Sequence, residues 1–257
     1  MLTVDSISKS FGGLTAVNSC SFTIESQSIT GLIGPNGAGK TTIFNVIAGA
    51  MKPDGGQVQF QGMDITGQPA HTLFHLGIMR TFQIPQEFFA MTVLENLMVV
   101  PAEQSGENLF YALLARENVA LREKEVRERA IDVLDFLRLT HVIDELAGNL
   151  SGGQKKLLEL GRAMMADPDI VLLDEPGAGV NPTLLGELAE MIERLNKERH
   201  YTFCIIEHNM DMIARLCDPV IVMVEGGVLM QGDMDTVRAD PRVLDAYLGG
   251  DIHVAPN

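Results

Sequence analysis

In Gly34-Pro35-Asn36-Gly37-Ala38-Gly39-Lys40-Thr41-Thr42, Gly34 and Gly39 enclose four residues, Gly37 among them, and a lysine and a hydroxyl residue follow. Ile29-Thr30-Gly31-Leu32-Ile33, just before it, reads as a buried strand, and residues 40–49 read as a helix closed by Gly49. A glycine loop of the form GxxxxGK[ST] between strand and helix is a phosphate cradle. Glycine lets the backbone curl until several amides point inward at phosphate oxygens, with Pro35, Asn36 and Ala38 completing the turn. The helix beginning near Lys40 adds its positive end. Lys40 supplies a flexible cation for the β- and γ-phosphates, and the Thr41 hydroxyl, with Thr42 beside it, a ligand for Mg²⁺. The loop predicts a nucleoside triphosphate with Mg²⁺ and leaves ATPase, GTPase and kinase open.

On either side of this loop the pattern is that of an α/β protein. Residues 1–8, 17–24 and 28–33 read as strands, and 57–60 as another after the turn Pro53-Asp54-Gly55-Gly56. From about residue 92 the period changes: Val126, Ala130, Val133, Leu134 and Leu137 share one helical face, so residues 92–162 are expected to be mainly helical. Residues 170–173 and 203–206 then return as short apolar strands flanking a helix over 183–198. Strands separated by helices predict a parallel sheet covered on both faces.

Composition narrows the class. Apolar residues make up 46% of the chain, enough for a sizeable core, yet the longest apolar runs fall well short of the roughly 20 residues of a bilayer span. Residues 1–9 alternate apolar and polar types and lack the basic start and apolar block of a secretory signal. The three cysteines, Cys20, Cys204 and Cys217, show no metal or redox spacing and suggest a reducing compartment. A formal net charge of -15 gives no basic footprint for nucleic acid and disfavours direct attachment to anionic lipid.

Two further motifs carry chemistry. Ile170-Val171-Leu172-Leu173-Asp174-Glu175 is an apolar strand ending in two acids, which belongs at the carboxyl edge of the sheet where ligands of open α/β folds sit. Asp174 is placed to hold Mg²⁺, and Glu175 to polarise the water that attacks the γ-phosphate. Leu150-Ser151-Gly152-Gly153-Gln154 precedes a helical stretch; Ser151 and Gln154 have capping-box spacing, and Gly152 and Gly153 remove side chains from the helix mouth. The outcome is a second anion site made of amides and a hydroxyl.

Together, the LSGGQ string, the phosphate loop and the Asp174-Glu175 pair resemble the nucleotide-binding domain of ABC transporters, in the family's order and over nearly the whole chain. The resemblance implies an α/β P-loop NTPase core with a mostly parallel sheet, an N-terminal antiparallel β subdomain and an inserted helical subdomain. It implies one domain, with the core over about 1–83 and 163–257, the helical part over about 84–162 and a frayed tail over about 249–257. It also implies ATP with Mg²⁺, and two copies paired head to tail, so that Ser151, Gly152, Gly153 and Gln154 of one face the γ-phosphate held by Lys40 of the other. Phe11 resembles the aromatic that stacks on adenine. Gln83, in Arg80-Thr81-Phe82-Gln83, resembles the glutamine that senses Mg²⁺ and water. His208, in Ile205-Ile206-Glu207-His208-Asn209, resembles the switch histidine at the γ-phosphate. Asn181 departs from the family, where an aspartate is common; asparagine keeps the hydrogen-bonding capacity and loses the charge.

Phe11-Gly12-Gly13-Leu14-Thr15-Ala16-Val17, the Arg80–Gln83 segment and Ala246-Tyr247-Leu248-Gly249 are similar to the ATPases of branched-chain amino acid importers. Amide and urea importers and the lipopolysaccharide exporter share much of this, and a cytosolic ABC ATPase acting as an ATP-switched binding module is the alternative outside transport. The resemblance implies a cytoplasmic subunit held at the inner face of the membrane by integral-membrane permease subunits. Pro85-Gln86-Glu87-Phe88-Phe89-Ala90-Met91 is unusually apolar for a loop, and Phe88, Phe89 and Met91 are expected to receive a short helix of that partner.

Overall fold

β1 (Leu2–Phe11) and β2 (Leu14–Ile24) form an antiparallel pair, joined on the far side of β1 by β4 (Gly55–Phe60) and then by the short β5 (Met63–Asp64). The buried positions of β1 are Leu2, Val4 and Ile7, which strict alternation does not give. Register shifts lie on both sides of Ile7, and Ser6 (φ 51) and Ser19 (φ 45) take left-handed backbone there. Such bulges re-aim side chains, and here they return Ile7 to the face of Leu2 and Val4. In this computed structural model, residues 1–80, 87–101 and 116–248 are described, without the side chains of 116–119 and 248. The expectations for Gln83, Pro85, Gln86 and the tail over 249–257 lie outside the described residues.

The second sheet has six strands in the order β10-β9-β3-β8-β7-β6: β3 (Ile29–Ile33), β6 (Ile78–Arg80), β7 (Ile170–Asp174), β8 (Thr202–Ile206), β9 (Val220–Val224) and β10 (Gly227–Gly232). β10 pairs antiparallel to β9, and the other pairings are parallel, giving the mostly parallel sheet expected. Every residue of β3, β7 and β8 is buried. That is how short apolar runs are used when both faces of a parallel sheet are covered. α1 (Lys40–Ile47) starts directly from the glycine loop after β3 and buries Ile43, Phe44, Val46 and Ile47 in a core shared by both sheets.

Register decides what meets at the carboxyl edge. Leu32 of β3 and Asp174 of β7 both pair with Ile206 of β8. The loops after β3, β7 and β8 therefore leave the sheet side by side. The first carries the glycine loop, the second Glu175 and the third His208.

The chain divides into two compact units, Met1–Gln83 with Asp169–Ala178 and Ile192–Asn257, and Ile84–Pro168 with Gly179–Met191. The second unit contains α3 (Val93–Met98), α4 (Arg116–Phe136), α5 (Gly152–Ala166) and the first part of α6 (Pro182–Arg199). Val126, Ala130, Val133, Leu134 and Leu137 are all buried, as their spacing predicts. A Cβ on Gly161 of α5 would come to 2.8 Å from Leu137 and 3.1 Å from Leu97, so the glycine lets these helices close on one another. Among the described residues no helix is long and apolar enough to cross a membrane.

Candidate active site

The glycine loop is held tightly by its neighbours. Gly34 (φ 149) and Gly39 (φ 92) adopt conformations that L side chains rarely take. A Cβ on Gly34 would lie 2.1 Å from the Met223 carbonyl oxygen, and one on Gly39 would lie 2.3 Å from that of Ala16. Both are backbone clashes that no rotamer change relieves. Lys40 is buried, and its Nζ donates to the carbonyls of Gly34 at 2.8 Å and Pro35 at 2.9 Å. Burial lowers its pKa, while the charges of Glu175 and Asp174 act to raise it. The lysine head thus lies in the field of both acids at the end of β7.

Asp174 is buried, and its Oδ2 accepts from Arg80 Nη2 at 2.7 Å. The other guanidinium arm, Nη1, donates to Asn45 Oδ1 of α1. Arg80 therefore orients the Asp174 carboxylate from β6 and ties it to the helix of the phosphate loop. Glu175 takes left-handed backbone (φ 51), unusual for a residue with a side chain. Its N–H donates to the Ile206 carbonyl at 2.9 Å, and its own carbonyl accepts from Ala178 at 3.0 Å. These bonds fix the turn so that Glu175 Oε1 lies 3.1 Å from His208 Nε2. An acid and an imidazole with this contact, beside a phosphate loop, can accept a proton from water and orient a phosphoryl group.

The LSGGQ segment belongs to the helical unit. Ser151 caps α5: its Oγ accepts from the Gln154 N–H at 3.3 Å, and Gln154 Oε1 accepts from the Ser151 N–H at 3.0 Å. Ser151 and Gly152 are exposed, and nothing would meet a Cβ at Gly152. Gly153 is glycine for a different reason: a Cβ there would lie 2.4 Å from Leu184 Cδ1. It seats α5 against α6, a packing role that the motif string does not reveal. A pocket of about 330 Å³ lies beside Ser151 and Gln154, lined also by His141, Leu157, Leu184 and Met191.

A family profile described as ABC transporter matches residues 17–178, and one described as branched-chain amino acid ATP-binding cassette transporter matches residues 228–253. The chain is 44% identical to a probable branched-chain amino acid transport ATP-binding protein LivG of Archaeoglobus fulgidus, over 97% of this chain and 95% of that one. It is 38% identical to the high-affinity branched-chain amino acid transport ATP-binding protein LivG of Escherichia coli K12, over 97% and 98%. A crystal structure of the ADP conformation of an ATP-binding cassette of an ABC transporter superposes with a TM-score of 0.82 at 39% identity, covering 97% of this chain and 98% of that one. The chain belongs to the ABC transporter family, in its branched-chain amino acid ATP-binding group. Cassettes of this family bind ATP and hydrolyse it to power transport.

Within the cassette, the structure brings Lys40, Asp174, Glu175 and His208 to one sheet edge. Thr41 lies exposed in the first turn of α1, with Thr42 partly buried beside it. Phe11 ends β1 with 46% exposure, and Lys9 Nζ lies 5.8 Å from the centre of its ring. Asn181 caps the start of α6, its Oδ1 accepting from Leu184 N–H at 3.0 Å. Asparagine caps as well as aspartate, so the departure from the family keeps this local bond. The cysteines are all buried; burial raises the thiol pKa of Cys20 and Cys217 to about 12 and pushes that of Cys204 up as well. They are small core side chains, outside the chemistry.

Sequence reasoning passed over three residues. Arg80 stood in a quoted motif without a role, and Glu207 stood beside His208 without one. Tyr247 of α9 (Pro241–Leu248) marked only the group, yet its hydroxyl is buried and faces the phosphate loop. Burial raises the Tyr247 pKa, and the Gly34 amide that faces it lowers it. The C-terminal helix thus reaches the phosphate loop, a contact between residues too far apart in the chain for any local pattern to signal.

Proposed function

We propose that this cassette supplies the ATP-driven step of uptake of branched-chain or other hydrophobic amino acids, working at the inner face of a membrane with permease subunits. The observation that carries the catalytic part is the 3.1 Å contact between Glu175 Oε1 and His208 Nε2 at the edge that bears the Lys40 loop. In this reading the amides of residues 34–42 and Lys40 hold the triphosphate, and Phe11 stacks on the adenine. Glu175 takes the proton of the attacking water. His208 and Gln83 orient water and γ-phosphate.

Mg²⁺ fits the donors present. Among the described residues no three His, Cys, Asp or Glu side chains cluster to hold a metal. Mg²⁺ is usually bound by one or two carboxylates together with substrate phosphates, and Thr41 and the Asp174 carboxylate oriented by Arg80 supply that partial shell, with Gln83 assigned to it by resemblance. The ion, when bound, neutralises phosphate charge. Ser151, Gly152, Gly153 and Gln154 are assigned to a second copy's nucleotide, in a head-to-tail pair.

The apolar turn after Gln86 supports docking to a permease. Phe88 and Phe89 are 49% and 62% exposed. Asn96 is buried and pins the turn: its Oδ1 accepts from Phe88 N–H at 2.8 Å, and its Nδ2 donates to the carbonyls of Phe88, Met91 and Thr92. Lys155 lies 5.1 Å from the Phe89 ring centre and Arg162 lies 5.2 Å from that of Phe88. The rings are thus presented rigidly, as a receiving surface requires.

The test is uptake of labelled leucine by vesicles holding the cassette and its permease subunits. ATP-dependent uptake that unlabelled valine and isoleucine compete away is expected. Competition by urea or short amides, but not by these amino acids, would move the cassette to a neighbouring importer group. Interface anchors contribute about 2 kcal/mol or more, so Phe89→Asp should weaken cassette–permease binding by about 30-fold and reduce uptake in proportion. Unchanged uptake would remove Phe89 from the docking surface.

A further inference from the structure

Glu207 stands between the last residue of β8 and His208. It is 5% exposed, and both of its carboxylate oxygens are engaged. Oε1 accepts from the Gly177 N–H at 2.6 Å. Oε2 accepts from the N–H of His208 at 2.8 Å and from that of Asn209 at 3.1 Å. Gly177 follows Glu175 by two positions on the loop leaving β7. One buried carboxylate therefore ties the backbone just after Glu175 to the backbone of His208, while the side chains of those two residues meet at 3.1 Å.

A buried acid after a strand often does no more than cap the next helix. Here α7 (Met210–Leu216) already has its cap, since Asn209 Oδ1 accepts from the Met212 N–H at 2.9 Å. The three bonds of Glu207 go instead to the two loops. A carboxylate suits the task because it is acceptor-only on both oxygens. A glutamine of the same shape accepts on one oxygen and turns an NH₂ donor toward N–H donors on the other side.

We propose that Glu207 is a positioning residue that locks the His208 loop to the Glu175 loop, so that the acid and the histidine hold one geometry and shift together when nucleotide binds. This rests on the reading that Glu175 and His208 act on the same water and phosphate.

The test is ATP turnover of Glu207→Gln, His208→Ala and the double variant in the full-length chain assembled with its permease subunits. Glu207→Gln is expected to lower kcat by about tenfold or more, as the loss of one charge-assisted bond implies, with KM for ATP within about twofold. In the double variant it should slow turnover no further than His208→Ala alone, because its effect runs through His208. Additive losses, or wild-type kcat in Glu207→Gln, overturn the proposal. If His208→Ala itself retains wild-type turnover, the site reading fails first and the proposal falls with it. Should Glu207→Gln not fold, amide exchange in the unaltered chain decides: protection of the Gly177, His208 and Asn209 amides should rise together on adding a non-hydrolysable ATP analogue with Mg²⁺. Independent responses at these amides overturn the proposal.

Discussion

Glu175→Gln is expected to slow ATP turnover at least about 100-fold, the range by which a positioned general base accelerates proton transfer, while ATP binding is retained. Glutamine keeps the shape of the side chain and leaves a group facing His208, but it cannot accept a proton from water. The backbone at this position is fixed by bonds that the substitution does not touch, Glu175 N–H to Ile206 and Ala178 N–H to the Glu175 carbonyl. The Lys40 loop is equally untouched. Single-turnover phosphate release, beside equilibrium binding of ATP to the same preparation, checks both halves. Turnover at the wild-type rate would take the proton-accepting role away from Glu175.

Lys40→Ala should damage binding itself. The Lys40 head is buried and donates to the Gly34 and Pro35 carbonyls, so it is both the loop's cation and one of its internal ties. A hydrogen bond to a charged group contributes about 1.5–3 kcal/mol, so ATP affinity should fall by roughly 10- to 100-fold, with turnover lost along with it. Burial also sets a pH dependence. It lowers the Lys40 pKa from the ordinary 10.5, and the charges of Glu175 and Asp174 oppose that. ATP affinity in the unaltered chain should therefore weaken as pH rises, before an ordinary lysine would lose its proton. Removing the charge at Glu175 should move that loss to lower pH still. Equilibrium titration of ATP binding across alkaline pH reads both effects, and a pH-independent affinity for the unaltered chain and Glu175→Gln alike would show that Lys40 does not carry the charge at this site.

The legible parts of the chain were those whose cause is local. The glycine loop, the apolar strand ending in Asp174 and Glu175, and the capped helix at Ser151 each declare themselves within ten residues, and each lies where its pattern places it. The helical face through Val126, Ala130 and Leu137 was readable for the same reason. What escaped depends on partners distant in sequence. Glu207 earns its place by bonding Gly177, 30 positions away, and Arg80 by reaching Asp174, 94 positions away. Strand periodicity missed the bulges at Ser6 and Ser19 because they are set by pairing between β1 and β2. Gly153 has a second reason to be glycine, the close approach of Leu184, which the motif string does not show. Motifs thus named the chemistry, and the sheet register brought its residues together.

In the proposed head-to-tail pair, one chain carries half of each site and a second copy completes it through Ser151. Light scattering of the Glu175→Gln chain, with and without ATP and Mg²⁺, tests it most directly. Two chains per particle are expected with nucleotide and one without, and adding Ser151→Arg should abolish the nucleotide-dependent pairing. A mass that does not change with nucleotide at any chain concentration, or pairing that survives Ser151→Arg, would contradict the account.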